Sequence, residues 1–154
     1  SLGGKPTMKE LMREAVQLFE EVMFQGAEHV IDAMEGDVWR EYSREQLQLL
    51  KLLEQFGPIQ AGQLAQKQGV HKSAVSNRLK KLVDKNLVVS RRGQDQRERL
   101  IELTEAGQRI VEEADAAVYR YVESLLDGKI DEAEIEQFVR TFRKIKQLLR
   151  IGEE

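Results

Sequence analysis

The sequence predicts a mainly α-helical fold carrying one small β-hairpin, and three observations predict it. Apolar residues recur at helical spacing, every three to four positions, through most of the 154 residues. One β-branched run, Leu87-Val88-Val89-Ser90-Arg91, is followed across a polar, glycine-containing turn (Arg92 to Arg97) by Leu100-Ile101-Glu102-Leu103, the pattern of a hairpin. Capping and breaking residues stand at the ends of the periodic segments, where helices must start and stop. A chain of this length supports one core and is short for two, so a single domain over 1–154 is expected.

Met8 to Met34 reads as a long amphipathic helix through Met8, Leu11, Met12, Ala15, Leu18, Phe19, Val22, Met23, Val30, Ile31 and Met34, with Thr7 and Glu10 as its capping box. Gly36-Asp37 breaks it, and Val38-Trp39-Arg40-Glu41-Tyr42 reads as a connector with two aromatics. Ser43 and Gln46 open a second helix carrying Leu47, Leu50, Leu53 and Phe56, which Gly57-Pro58 stops. A short helix follows around Gln63 to Lys67 and ends at Gly69. The next runs from about Lys72 to Lys85. Val75, Leu79, Leu82 and Val83 fall on one face of it, and Ser73, Ala74, Asn77 and Lys81 project from the other, because each residue advances a helix by about 100°. After the hairpin, Thr104 caps a helix carrying Ile110, Val111, Ala114, Ala117, Val118, Tyr121, Val122 and Leu125. Asp127-Gly128-Lys129 separates it from a last helix, started by Asp131 and Glu134, with Ile135, Phe138, Phe142, Ile145, Leu148 and Leu149. Ser1 to Gly4 carries no such pattern and is left out of the fold reading.

Two short helices joined at a glycine, the second with a small-polar and basic outer face, have the form of a helix-turn-helix. A two-stranded hairpin is marginal alone, so the one that follows must pack on the helices beside it, as a wing. The expected architecture is a winged helix-turn-helix lobe over 43–104, flanked by N- and C-terminal helices over 8–34 and 105–150.

With no cysteine, a disulfide frame, a thiolate metal site and a thiol redox sensor are excluded. No run approaches the roughly 18 uninterrupted apolar residues of a membrane span, and no basic-then-apolar leader opens the chain, so the expectation is a cytoplasmic protein with no membrane partner. The net charge of −3 conceals a division: from Gln60 to Thr104 ten Lys/Arg stand against four Asp/Glu, a local +6, which leaves −9 on the rest. A basic middle between acidic ends suits a module that meets phosphate, although a solvated charged face would look the same by charge alone. Catalysis has little support. There are two histidines, no Ser-His-Asp arrangement, no phosphate-cradling glycine loop and no metal spacing, so no enzyme activity, catalytic residue, metal or cofactor is expected. His71, at the start of the second short helix, reads as a cap or phosphate contact, and His29 as a packing residue.

The chain resembles the MarR family of winged helix-turn-helix transcriptional regulators from about Met8 to Arg150. The most telling match is Asp95-Gln96-Arg97 preceding Leu103-Thr104-Glu105-Ala106-Gly107, the family's spacing between its Asp-x-Arg pair and its Leu-Thr-x-x-Gly helix start. Leu64-Ala65, Gly69-Val70, Ser73-Ala74-Val75-Ser76-Asn77 and Leu82 through Leu87-Val88 match in the same order. Ala74 departs from the hydroxyl residue common at its position, which speaks against a base contact there. The resemblance implies a homodimer built by the first and last helices, recognition helices in successive major grooves of duplex DNA, and wing arginines in the flanking minor grooves. The apolar stripes of the outer helices, too wide for one lobe to cover, agree with it; helices folded back on their own lobe are the alternative.

DNA binding needs cations for phosphates and hydrogen-bonding groups for bases. Lys72, Arg78, Lys80, Lys81, Arg91 and Arg92 are the candidates for the first, against ordinary solubility. Ser73, Ser76 and Asn77 are candidates for the second, Asn77 the sharper because Asn pairs bidentately with adenine. Arg97, at the tip of a thin hairpin, suits a narrow A·T-rich minor groove. Asp95 would be repelled by phosphate, so its role is internal: holding an arginine's fork, as in the relatives this chain resembles, or forming the turn. The resemblance further implies a small amphipathic or aromatic effector that releases DNA, with Phe19, Met23, Phe24, Trp39, Tyr42 and Phe56 as candidate walls and core packing as the competing reading of each. A repressor binding a pseudo-palindromic operator is the expected function. The rival is a winged-helix protein-interaction module without DNA readout.

Overall fold

A computed structural model describes residues 3–153, so Ser1 and Leu2 of the segment set aside above, with Glu154, lie outside the described residues. The order is α1 (Met8–Glu21), a π-helical turn (Val22–Gly26), α2 (Ala27–Asp32), α3 (Asp37–Glu41), α4 (Arg44–Phe56), α5 (Ala61–Gln68), α6 (Lys72–Asp84), β1 (Val88–Arg92), β2 (Arg99–Leu103), α7 (Glu105–Leu126) and α8 (Glu132–Leu148). Two compact units divide the chain, one running to Tyr119 and the other from Arg120.

Helix starts follow their capping chemistry. Thr7, Ser43 and Asp131 each accept the backbone N–H three residues on, and Glu10, Gln46 and Glu134 reach back to the capping residue's own N–H. The long first helix keeps helical dihedrals from Met8 to Asp32 and relaxes through a single π turn at its middle, beside Gly26, the least helix-favouring residue of the segment. Gly36, with φ of +114°, then reverses the chain in a conformation that side chains resist. The expected connector over Val38 to Tyr42 is a turn and a half of helix instead. Asp37 sits at its positive end and pairs with Arg40 at 2.9 Å, a local stabilisation that hydrophobic spacing does not register.

The core belongs to the first unit. Leu49, Leu50, Leu64, Val75 and Leu82 are its fully buried side chains, and Leu47 and Leu53 of α4, Leu79 of α6, Leu87, Val88 of β1 and Ile101 of β2 pack around them. Burying each leucine is worth roughly 1.5–3 kcal/mol. The core also takes in Val38 and Tyr42 before residue 43 and Val111 and Ala114 after residue 104, so the first half of α7 packs as part of the lobe. Val83, expected on the inner face of α6, is exposed: with Leu82 pointing straight into the core, the next residue lies 100° round the helix.

β1 and β2 pair antiparallel from Val88 opposite Leu103 to Arg92 opposite Arg99. Ile59, just after the Gly57-Pro58 stop, exchanges both backbone hydrogen bonds with Ile101, at 3.0 and 2.8 Å, and so sews the wing to the helix-turn-helix. By contrast, neither α1 nor α8 has a buried residue. Met8, Met12, Val16, Val22, Met23 and Phe24 stand exposed along the first helix, and Phe138 and Phe142 stack on α8 with ring centroids 4.2 Å apart.

Candidate nucleic-acid interface

The helix-turn-helix forms around one glycine. Gly69 takes the left-handed conformation, φ +69° and ψ +33°, which closes α5 and turns the chain toward α6. His71 then caps α6, its Nδ1 accepting the Ser73 N–H at 3.2 Å and lying 2.9 Å from the Ser73 hydroxyl. The cap role expected of His71 is therefore what the structure shows.

Along α6 the inner face carries Val75, Leu79 and Leu82 into the core, while Lys72, Ser73, Ser76, Asn77, Lys80 and Lys81 are exposed. This row is continuous over two and a half turns, with small hydrogen-bonding groups toward the N-terminal half and cations beside and beyond them. Arg78 differs from its neighbours. It is half-buried and donates from Nη1 to Gln68 Oε1 at 2.7 Å, joining α6 to the end of α5.

The far end of α6 is anchored too. Lys85 lies 4.5 Å over the Tyr42 ring and 3.8 Å from the Glu41 carboxylate. Burial first, and then the Glu41 carboxylate beside it, push the Tyr42 hydroxyl above its ordinary pKa of 10.0. Asn86, at φ +60°, ends the helix in the left-handed region, and its carbonyl accepts the Thr104 hydroxyl at 2.7 Å. The same Thr104 oxygen accepts the Gly107 N–H at 3.0 Å and caps α7.

In the wing, Asp95 shapes the turn: its carboxylate accepts the Arg97 N–H at 3.0 Å and its carbonyl accepts the Glu98 N–H at 2.9 Å. The turn-forming alternative for Asp95 thus has its contact. Glu98 in turn accepts from Gln60 Nε2 at 3.3 Å, tying the wing to the start of α5. Arg97 and Arg92 are exposed, whereas Arg91 is paired through Nε with Glu102 at 3.0 Å. Arg99 is not among the sequence candidates, because the apolar pattern of the return strand begins at Leu100. It stands exposed opposite Arg92 and doubles the charge on that rung. Gln68 and Gln60 were missed for another reason. Their partners lie 10 and 38 positions away, and no local pattern announces such pairs.

The candidate effector walls do not behave alike. Phe19, Met23 and Phe24 are exposed on the first helix, Phe56 carries Lys67 3.8 Å over its ring, and Tyr42 is a core residue. Trp39 packs against the core, and its Nε1–H is buried without an acceptor among the described residues.

The MarR family's profile matches residues 42–98, from the residue after α3 to the residue before β2. The uncharacterized HTH-type transcriptional regulator YdgG of Bacillus subtilis (strain 168) is 41% identical over 143 residues, 91% of this chain and 93% of the relative. The HTH-type transcriptional regulator TcaR of Staphylococcus aureus (strain Newman) is 39% identical over 85 residues, 52% of this chain and 56% of that protein. Among solved structures, a MarR family protein from Bacillus stearothermophilus shares the fold with a TM-score of 0.74 at 21% identity, over 94% of this chain and 99% of the other. With the helix-turn-helix, the wing and nearly the whole length accounted for in this way, the chain belongs to the MarR family and is a DNA-binding transcriptional regulator.

Proposed function

We propose that the chain works as a homodimer that binds a pseudo-palindromic operator, represses transcription there, and is released by a small amphipathic or aromatic effector. The observation that carries the DNA reading is the exposed row on α6. Ser73, Ser76 and Asn77 face the bases in a major groove, Lys72, Arg78, Lys80 and Lys81 meet phosphates, and Arg92 and Arg97 of the wing reach the flanking backbone and minor groove. In this reading Arg91 serves through Glu102 as a brace of the wing base as much as a phosphate contact. The dimer reading is supported by two helices without a buried residue, which a second copy would cover. For the effector, Phe19, Met23, Phe24, Trp39, Tyr42 and Phe56 remain the proposed walls, supported most by the exposed aromatic and methionine side chains of the first helix. A ligand that prefers one spacing of the two recognition helices lowers DNA affinity by the factor by which DNA lowers its own. The reading implies work in the cytoplasm beside the DNA and requires no catalytic step.

Fluorescence anisotropy against labelled duplex, titrated with salt, tests it. Affinity is expected to fall steeply, with a log–log slope of roughly −0.9 for each phosphate neutralised, and a flat response would favour a protein-docking module. Selection of bound sequences from a random pool is expected to recover inverted half-sites about one helical turn apart, and a lone asymmetric half-site would argue against the dimer.

A further inference from the structure

Arg78 and Arg91 carry the same charge on the same lobe, yet they are held by opposite kinds of partner. Arg91 is paired with a carboxylate, Glu102, which cancels its charge locally. Arg78 is held by a neutral amide, and among the described residues no carboxylate lies within ion-pair distance of it. The amide is itself fixed from behind. Gln68 Nε2 donates to the backbone carbonyl of Glu45 at 3.1 Å and lies 3.4 Å from Gln48 Oε1, both on α4. Flipping the amide would set its N–H groups against a guanidinium, which only donates, and its oxygen against two acceptors. Gln68 can therefore present only its oxygen to Arg78.

We propose that Gln68 is a positioning residue for DNA binding: it clamps Arg78 through a neutral acceptor and so holds an uncancelled positive charge in place for a backbone phosphate of duplex DNA. The inference rests on the reading of α6 as the element that meets DNA. A free arginine side chain must give up rotamer freedom when it binds, and one already held at 2.7 Å by a braced amide has less to give up. A carboxylate in the same place would hold the guanidinium more strongly but would remove the charge that phosphate needs. The clamp also spans three elements, α4, α5 and α6, so it sets the arginine relative to the whole lobe and not to its own helix alone.

The test is a double-mutant cycle on the full chain, read by anisotropy with random-sequence duplex over a salt series and by circular dichroism for folding. Arg78→Ala is expected to weaken binding roughly tenfold and to reduce the salt slope by about one. Gln68→Met, similar in length but without hydrogen bonds, is expected to weaken binding several-fold alone and to have no further effect once Arg78 is alanine. Gln68→Glu keeps the acceptor toward Arg78 and cancels its charge but gives up the brace, since its second oxygen cannot donate to the Glu45 carbonyl or Gln48; it should still pair with Arg78 and reduce the salt slope by about one, with circular dichroism checking that it folds. Equal losses from Gln68→Met with and without Arg78, or an unchanged slope in Gln68→Glu, would overturn the clamp. So would Arg78→Ala leaving affinity intact while Lys80→Ala and Lys81→Ala weaken it, an outcome that spares the reading of α6. If none of these α6 variants changes affinity, that reading falls and the clamp with it.

Discussion

Gly107 has no side chain because none would fit: a Cβ there would run into the backbone carbonyl of Leu87 and press on Leu103. Gly107→Ala gains about 1 kcal/mol of helix propensity and is still expected to lower the unfolding free energy by roughly 1–3 kcal/mol, measured by urea titration, because the overpacked atom is backbone and cannot swing away. The glycine was legible as part of a familiar spacing, but its reason was not, since Leu87 lies on the other side of the wing. Asp95 makes a similar point. Asp95→Ala removes the acceptor that holds the Arg97 N–H, so DNA binding should weaken even though a negative charge is lost, and tighter binding would contradict the turn's role. Tyr42 gives a pH signature. Its hydroxyl is raised above 10.0, so the unfolded chain ionises it first. Stability is then fully present below that value and falls as pH rises through the raised one, and Tyr42→Phe should flatten this alkaline loss in denaturant midpoints.

At the scale of elements, the starts of α1, α4 and α8 were legible because a capping box needs only two residues three apart. Nearly all of the recognition helix was legible for the same kind of reason, its inner face being a local 3.6-residue pattern. The helical turn of α3, the π turn and the Ile59–Ile101 bridge were not. Each depends on contacts or backbone adjustments that leave no periodic trace. The joint between α6 and α7 depends on Thr104, whose hydroxyl donates to Asn86 and accepts from Gly107. Thr104→Val keeps the shape and removes both bonds. It is expected to cost about 1–2 kcal/mol by thermal or chemical unfolding, at the upper end of a lost helix cap, and to weaken DNA binding as the end of α6 loosens.

For the whole molecule, ion pairs matter less than the leucine core, since a cross-element pair such as Lys51 with Asp115, at 2.7 Å, joins two well-exposed side chains and contributes little. The outer helices are a separate matter, because their apolar surface is not part of that core. Leu11→Glu combined with Leu18→Glu, two exposed positions one heptad apart, is expected to yield a monomer in sedimentation while the lobe's unfolding midpoint stays nearly unchanged. DNA affinity should drop with the loss of the second recognition helix. A dimer that persisted would show that this face is covered in some other way. The +6 middle and −9 remainder also predict an association rate that falls with ionic strength, measurable by stopped-flow mixing with duplex.

Thr104 has one more consequence, which is mechanical. A single oxygen pins Asn86, two residues past the recognition helix, to the first turn of α7, with the return strand of the wing arriving at the same point. The hydroxyl thus ties the end of α6, the start of α7 and the base of the wing together at one point. In the proposed DNA-bound arrangement, the recognition helix and the wing would then move as one piece about that hydroxyl.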